Sequence, residues 1–237
     1  MSKIRAVIFD CYSTLIDIKT NEKKEEGFHY LSLYLQYYGA NFDAERLKSA
    51  LHSEKERYLQ TSAERYPEVD LEIVFRNILN NQGLDNPFLA ESSCKLFRVL
   101  SRERFQLFPD SLPVLEEIKK GAYPVGVVSD AQKVFCFEEA EMLGLTKFFD
   151  CIVISTYFGF RKPDPRLFTI ACTLLDTPPT EAVYIGNDPE TDVKGAQQIG
   201  MQAILLDRNL KNKNEEPKPD FRANNLWEAW GWIRSNV

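Results

Sequence analysis

Carboxylate, hydroxyl and ammonium side chains follow short apolar runs in this chain, in positions where they could do chemistry together. Residues 6–9 form an uninterrupted apolar run that stops at Asp10, and Thr14 follows four residues later. Such a run is typical of a strand buried on both faces, and open α/β sheets bind ligands at the carboxyl ends of their strands. Asp10 is therefore a candidate nucleophile, because a carboxylate can form a covalent intermediate.

Three later stretches carry groups of the same kind. Ser129 and Asp130 end a second apolar run, Lys162 stands in a Lys-Pro-Asp-Pro segment, and a further run ends in the Gly-Asn-Asp-Pro-Glu-Thr-Asp sequence of residues 186–192. Taken alone, each could be a turn, a helix cap or a solvated surface residue. Because the carboxyl ends of parallel strands share one edge of a sheet, we predict that these groups meet in one site.

The predicted group of side chains suits transfer from a small anionic substrate. Asp10 would attack, while Ser129 and Lys162 would bind the phosphoryl oxygens and Lys162 would compensate the charge of the transition state. Because a carboxylate and a phosphate repel each other, a divalent cation is expected to bridge them. We expect Asp188, with Asp192 in a secondary role, to hold Mg²⁺, which prefers oxygen ligands.

The elements that must position these groups follow from the apolar pattern. Further strands are expected at residues 125–130, 151–155, 182–188 and 203–206, with helical segments between them and a final amphipathic helix near the C-terminus. Alternating β and α units predict an α/β fold built on a doubly wound parallel sheet. The polar, proline-containing stretch of residues 209–220 predicts a loop.

Between about residue 21 and residue 104 the apolar residues recur only at helical spacing. One such stripe consists of Leu71, Val74, Phe75, Ile78 and Leu79. We predict an inserted α-helical domain over residues 18–105, and an α/β core made of residues 1–17 and 106–237. Cationic residues of the insertion that could bind an anionic substrate are Arg46, Lys48, Arg57 and Arg65.

Composition argues against several classes of protein. The formal net charge of −6 does not suit a nucleic-acid binder, and no apolar run approaches the roughly 20 residues of a membrane helix. Five widely spaced cysteines without a C-x-x-C pair argue against a zinc site or a disulfide framework and suggest a cytoplasmic protein. The sequence does not determine the oligomeric state, since Trp227, Trp230 and Trp232 fit a final helix that covers the sheet.

Taken in this order, the motifs resemble those of the haloacid dehalogenase (HAD) superfamily of hydrolases, whose core is Rossmann-like. The resemblance covers essentially the whole core, and the insertion is similar in position to the family's helical C1 cap. Residues 159–165 and 186–196 are the most specific segments. The resemblance implies Asp10 as the nucleophile, Thr14 as support for the first loop, Ser129 as the hydroxyl of the second motif, Lys162 as the lysine of the third, and Asp188 and Asp192 as the acidic fourth motif.

Tyr12 departs from the pattern of the family's phosphatases. Those enzymes usually carry a second Asp at this position, which protonates the leaving group and then activates water. A phenol with a pKa of about 10 is a poor base at neutral pH. Tyr12 would instead contact the substrate and offer its backbone carbonyl to the metal beside Asp10. An Asp-x-Tyr motif also resembles the family's L-2-haloacid dehalogenases, in which the Asp displaces halide from carbon without a metal.

The other motifs differ from that subgroup. Asp130, also a candidate substrate contact, stands where the dehalogenases have Asn, and the fourth motif has Asn187 and Asp188 followed by Asp192. Either Asn187 or Asp188 could be the metal ligand, and we favour Asp188.

Three hypotheses follow, in this order. The first is a Mg²⁺-dependent phosphatase that acts on a small phosphorylated metabolite through an aspartyl-phosphate. The second is a metal-independent L-2-haloacid dehalogenase, and the third is a low-activity HAD-fold protein that binds a phosphorylated ligand.

Overall fold

A computed structural model describes residues 3–208 and 216–236, and its centre is a six-stranded parallel sheet. In chain order, the elements are β1 (Ala6–Phe9), β2 (Ile16–Thr20), α1 (Glu25–Tyr37), α2 (Ala44–Thr61), α3 (Leu71–Asn80), α4 (Pro87–Ser101), β3 (Arg102–Leu107), α5 (Ser111–Lys120), β4 (Val125–Ser129), α6 (Lys133–Met142), β5 (Cys151–Ile154), α7 (Pro165–Leu174), β6 (Ala182–Gly186), α8 (Lys194–Gln197), β7 (Gln202–Leu206), β8 (Phe221–Ala223) and α9 (Leu226–Ser235).

The strand order is β5-β4-β1-β6-β7-β8, and every neighbouring pair is parallel. Strand β1 therefore lies between β4 and β6, so the residues that follow these three strands meet at one edge of the sheet. The five predicted strands correspond to β1, β4, β5, β6 and β7, and the predicted α/β class is confirmed. The short strand β8 was not predicted, and residues 209–215 of the predicted loop lie outside the described residues.

Both faces of the sheet are covered, which explains the uninterrupted apolar runs. Val7 and Phe9 of β1 pack in a core with α5 and α9, while Ala6 and Ile8 face the opposite core, which contains α7 and α8. Trp230 of α9 is buried against the first core, as expected for a final helix that covers the sheet.

Helices α1 to α4 form a bundle with its own core, which includes the predicted α3 stripe. Strands β2 and β3 pair antiparallel as a two-stranded ribbon, through which the chain leaves the sheet and returns. The ribbon was missed, although alternation holds at the end of β3, where the exposed Gln106 lies between the half-buried Phe105 and Leu107. The predicted domain boundaries, 17/18 and 105/106, fall inside these two strands.

Two further observations bear on the class of protein. No helix within residues 3–208 and 216–236 is both long enough and apolar enough to cross a membrane. All five cysteines are buried and free.

Gly195 offers a test of the packing beside the site. A Cβ at Gly195 in α8 would lie 2.3 Å from the ring of Phe168, whereas a Cβ at Gly231 in α9 would meet no atom within 4 Å. We expect Gly195→Ala to lower the free energy of unfolding by about 1–3 kcal/mol through overpacking. Gly231→Ala should raise it by about 0.5–1 kcal/mol, because alanine favours the helix. Urea unfolding of both variants measures the difference, and equal effects would contradict this packing.

Candidate active site

Asp10 lies directly after β1 at the carboxyl edge of the sheet, and it is buried. Its backbone N–H donates to the carbonyl of Ile185 in β6, at 2.9 Å, which continues the parallel pairing by one residue. The chain then turns through Ser13, whose φ of 63° is left-handed. The turn brings the Thr14 hydroxyl back to Asp10, where it donates to Oδ2 at 3.3 Å.

The Lys162 ammonium is the centre of a buried cluster of charges. Nζ donates to Asp10 Oδ1 at 2.8 Å and to Asp192 Oδ1 at 2.6 Å, and all three side chains are buried. It also donates to the Tyr184 hydroxyl at 3.2 Å, and that hydroxyl donates to the Val128 carbonyl at 2.9 Å. Sequence reasoning missed Tyr184, whose one signal was a polar hydroxyl in an apolar strand.

The protonation of this cluster follows from burial and charge together. Burial raises the pKa of Asp10 to about 7, against the opposing influence of the Lys162 charge. Burial alone would lower the pKa of Lys162, but the charges of Asp10 and Asp192 raise it well above its ordinary value. Lys162 therefore stays an ammonium group, able to compensate negative charge on a substrate at Asp10.

Asp192 fixes the turn after β6. Its Oδ2 accepts the backbone N–H groups of Asn187 and Asp188, at 2.9 and 3.0 Å. Gly186 is required there, since a Cβ would lie 2.3 Å from that oxygen. This arrangement leaves the Asn187 amide oxygen to accept a hydrogen bond from Thr14 Oγ1 at 3.2 Å, so that Asn187 and Asp10 share Thr14.

We predicted Asp188 rather than Asn187 as the metal ligand, but in the structure Asn187 is the residue closer to Asp10 through Thr14. The Asp188 carboxylate is exposed and caps the following helical turn, where Oδ1 accepts the N–H of Thr191 at 2.9 Å. Both oxygens of Asp192 are already hydrogen-bonded. Within residues 3–208 and 216–236, no group of three or more His, Cys, Asp or Glu residues could hold a metal ion. Because the Asp188 carboxylate is exposed and Asp192 is bonded to Lys162, the four predicted ligands (Asp10, the Tyr12 carbonyl, Asp188 and Asp192) are not assembled around one point.

The two residues of the second motif differ in their hydrogen bonding: the Ser129 hydroxyl has no partner among the described residues, whereas the Asp130 carboxylate is hydrogen-bonded. Ser129 Oγ is buried and has no hydrogen-bond partner among the residues that the structure describes, so its hydrogen-bonding capacity is unused. Asp130 Oδ1 accepts the backbone N–H of Lys162 at 2.9 Å, and burial raises the pKa of Asp130. Asp130 thus fixes the backbone of the segment that carries Lys162.

The Tyr12 side chain does not supply an acid–base group to the first loop. Its hydroxyl donates to Glu139 Oε2 at 2.6 Å, and burial raises its pKa further above the ordinary value. Arg98 of α4 donates twice to the same carboxylate, at 2.8 Å each, and lies 5.0 Å from the centre of the Tyr12 ring. This Arg98–Glu139–Tyr12 network joins the helical bundle to α6 and to the first loop.

A cavity of about 390 Å³ lies between the bundle and the sheet edge. Its lining includes Tyr12, Asp130 and Arg161 from the sheet side, and Lys55, Glu68 and Arg98 from the inserted segment.

The cationic residues of the insertion that the sequence suggested as substrate contacts do not line this cavity. Instead, Arg46 pairs with Asp43, Arg57 pairs with Glu54, Lys48 lies over Phe28, and Arg65 lies over Tyr66. Helical periodicity alone could not orient the bundle, so Lys55 and Arg98 were missed.

Comparisons with known proteins agree with this architecture. The family model for haloacid dehalogenase-like hydrolases matches residues 4–200. A phosphoserine phosphatase of Thermus thermophilus is 31% identical over 67% of this chain and 63% of its own length. A glyceraldehyde 3-phosphate phosphatase of Methanopyrus kandleri is 25% identical over 98% of this chain and 97% of its own. A crystal structure of a 2-haloacid dehalogenase from Pseudomonas syringae pv. tomato superposes with a TM-score of 0.75, at 24% identity and 98% coverage of both chains.

The Arg98–Glu139 ion pair can be tested by removing the cation alone and then both charges. Arg98→Met leaves the buried Glu139 carboxylate without its cation, so we expect the free energy of unfolding to fall by about 3–5 kcal/mol. The double variant Arg98→Met/Glu139→Gln removes both charges and should recover most of that loss. Urea unfolding measures both, and a double variant as unstable as the single one would show that charge is not the cause.

The fourth motif can be tested by moving its carboxylate. Asn187→Asp places a second carboxylate beside Thr14 and Asp10, so we expect Mg²⁺ to bind at least tenfold more tightly, or by about 1.4 kcal/mol. Asp188→Asn is the matched control, because Asn caps a helix about as well as Asp. Isothermal titration with Mg²⁺ measures both. Weaker binding only in Asp188→Asn would instead make Asp188 the ligand.

Proposed function

The chain belongs to the haloacid dehalogenase-like hydrolases, and we propose that it hydrolyses a phosphate monoester of a small metabolite with Asp10 as the nucleophile. The observation that carries the proposal is the contact of Asp10 with the Lys162 ammonium, at 2.8 Å in a buried site. A nucleophilic carboxylate and a positive charge at the same point are what transfer from an anionic substrate requires.

Two further observations support a phosphoryl substrate. The hydroxyl of Ser129, buried without a partner among the described residues, is available to a phosphoryl oxygen. Two relatives that align with most of this chain are named as phosphatases, one of them over nearly its whole length. The proposed location is the cytoplasm, which suits five free buried cysteines.

In the proposed reaction, each residue acts through a contact described above. Ionised Asp10 attacks phosphorus and forms an aspartyl-phosphate, while Lys162 and the Ser129 hydroxyl stabilise the charge on the phosphoryl oxygens. Thr14 and Asp192 hold Asp10 and Lys162 in place, and Asp130 fixes the backbone of Lys162. Water then attacks phosphorus and releases phosphate.

Magnesium, which the family resemblance implied, has no step in this proposal. Asp192 is bonded to Lys162, the Asp188 carboxylate is exposed, and Asp10 has the Asn187 amide as its neighbour across Thr14. Magnesium dependence is therefore a variable of the experiment below.

A second candidate function is the hydrolysis of L-2-haloacids. It is favoured by Tyr12, because a halide leaving group needs no proton and the Tyr12 hydroxyl is already bonded to Glu139. The exposed position of the Asp188 carboxylate, which caps the following turn, agrees with it as well. The two candidates share Asp10 and Lys162 and differ in the atom attacked, phosphorus or carbon.

A paired substrate panel tests the proposal. Purified protein is assayed on small phosphate monoesters and on 2-chloropropionate, with Mg²⁺ and with a chelator, by phosphate and chloride release. We expect phosphate release that Asp10→Asn abolishes, because an amide is not a nucleophile here. The control Asp85→Asn changes an exposed loop residue and should keep wild-type activity.

Other results of the panel would decide between the remaining functions. Chloride release without metal, abolished by Asp10→Asn, would establish the dehalogenase. Turnover that survives Asp10→Asn would overturn the proposal, and binding of phosphate esters without turnover would support a binding protein.

A further inference from the structure

Because residue 12 is a tyrosine, the first loop provides no general acid or base for the proposed reaction. An alkyl phosphate needs an acid to protonate its leaving oxygen, and the aspartyl-phosphate needs a base to activate water. The Tyr12 hydroxyl is committed to Glu139. The missing acid and base must then come from another side chain that reaches the cavity.

We propose that Glu68, which enters the cavity from the inserted segment, is the general acid and base of the reaction. This inference rests on the proposed function, since it supplies the proton transfers that phosphate ester hydrolysis requires.

The backbone of Glu68 is anchored on the segment that leads to Lys162. Pro67 and Phe160 form an antiparallel bridge. On either side of it, the Glu68 N–H donates to the Gly159 carbonyl at 3.0 Å, and the Arg161 N–H donates to the Tyr66 carbonyl at 2.8 Å. Glu68 therefore has a fixed position relative to the residue next to Lys162, although it belongs to the inserted segment.

The Glu68 side chain lines the same cavity as Tyr12, which lies two residues after Asp10, and Asp130, which follows Ser129 directly. Oε2 accepts a hydrogen bond from Ser155 Oγ at 2.7 Å. One carboxyl oxygen is thus held by the Ser155 hydroxyl.

The surroundings of Glu68 suit proton exchange near neutral pH. Burial raises its pKa to about 7, while the Ser155 hydroxyl opposes this shift. Among the charged groups around it, the Asp130 carboxylate raises the pKa and the Arg161 guanidinium lowers it. The charge around Glu68 is therefore mixed rather than dominated by one partner.

The other carboxylates of the cavity are committed elsewhere. Glu22 is paired with the Lys55 ammonium at 3.1 Å, and Asp130 accepts the backbone N–H of Lys162 at 2.9 Å. Glu139, behind Tyr12, receives hydrogen bonds from Arg98 and from the Tyr12 hydroxyl. Among the lining carboxyl groups that the structure describes, Glu68 neither forms an ion pair nor holds the backbone of Lys162, and its hydrogen-bond partner is the Ser155 hydroxyl.

The proton transfers balance over the two steps. As Asp10 bonds to phosphorus and the ester P–O bond breaks, protonated Glu68 gives its proton to the leaving alkoxide, which departs as an alcohol. The resulting carboxylate then takes a proton from water as the water oxygen bonds to phosphorus. The Asp10–phosphorus bond breaks, hydrogen phosphate leaves, and Asp10 and protonated Glu68 are restored.

Glu68→Gln tests this role through its dependence on the leaving group. With an alkyl phosphate, we expect kcat to fall by about 10²-fold or more, because general acid catalysis is lost. With p-nitrophenyl phosphate, whose leaving group needs no proton, the first step should persist. Rapid mixing should then show a burst of nitrophenol followed by slow turnover, because the base for the second step is missing.

Two further variants separate catalysis from structure. Ser155→Ala removes the hydroxyl that lowers the pKa of Glu68, so the falling limb of the kcat/KM profile for the alkyl phosphate should move to higher pH. In Glu68→Gln that limb should disappear. Glu56→Gln, an exposed change on α2, is the matched control and should behave as wild type.

The outcomes are distinguishable from those of the proposed function. If Asp10→Asn is inactive while Glu68→Gln keeps wild-type rates on both esters, or loses the same factor on both without a burst, the role of Glu68 is overturned and the phosphatase stands. If wild-type protein releases chloride from 2-chloropropionate but no phosphate from any ester, the proposed function fails first and the role of Glu68 in ester hydrolysis fails with it.

Discussion

The burial of one ammonium group is the constraint on which the rest of the site depends. Lys162 is shielded from water, and an isolated ammonium there would cost several kcal/mol. Asp10 and Asp192 compensate it from two sides, at 2.8 and 2.6 Å. Since these carboxylates follow different strands, β1 and β6 must be neighbours in the sheet and the segment with Lys162 must cross their edge. The strand order places them in this way.

The same constraint explains residues that have no chemistry of their own. Asp192 can face Lys162 only because Gly186 leaves room for its second oxygen, which in turn organises the backbone of Asn187 and Asp188. Tyr184 accepts from the ammonium through a hydroxyl in an otherwise apolar strand. Asp192, expected to be a secondary metal ligand, thus serves as the counter-charge of Lys162 and the organiser of the turn.

The sequence predicted the elements that follow from apolar periodicity and the residues that follow strand ends. It did not predict features that depend on the direction in which a side chain points. Five sheet strands, the inserted helices and the meeting of Asp10, Thr14, Lys162 and Asp192 followed from apolar runs that end in polar residues. The choice between Asn187 and Asp188 did not, because it depends on which way each side chain leaves a turn that Asp192 shapes. Lys55 and Arg98 were also missed, since helical spacing gives a stripe but not the partner that it faces. Glu68 was missed because it lies between α2 and α3, in a segment whose direction no periodicity predicts. The ribbon was overlooked because its alternation is short and mostly charged.

The replacement of an acidic residue by Tyr12 changes which part of the molecule completes the site. An acid on the first loop is present whether or not the helical bundle covers the sheet edge. Tyr12 instead contacts Glu139 and Arg98, and Glu68, which is held by the Ser155 hydroxyl, lies on the inserted segment. In the proposed reaction, proton transfer would then require the contacts between Glu68 and the segment before Lys162. Covering the substrate and supplying the acid would become one event, so that Asp10 meets a protonated leaving group only in a site from which bulk water is excluded.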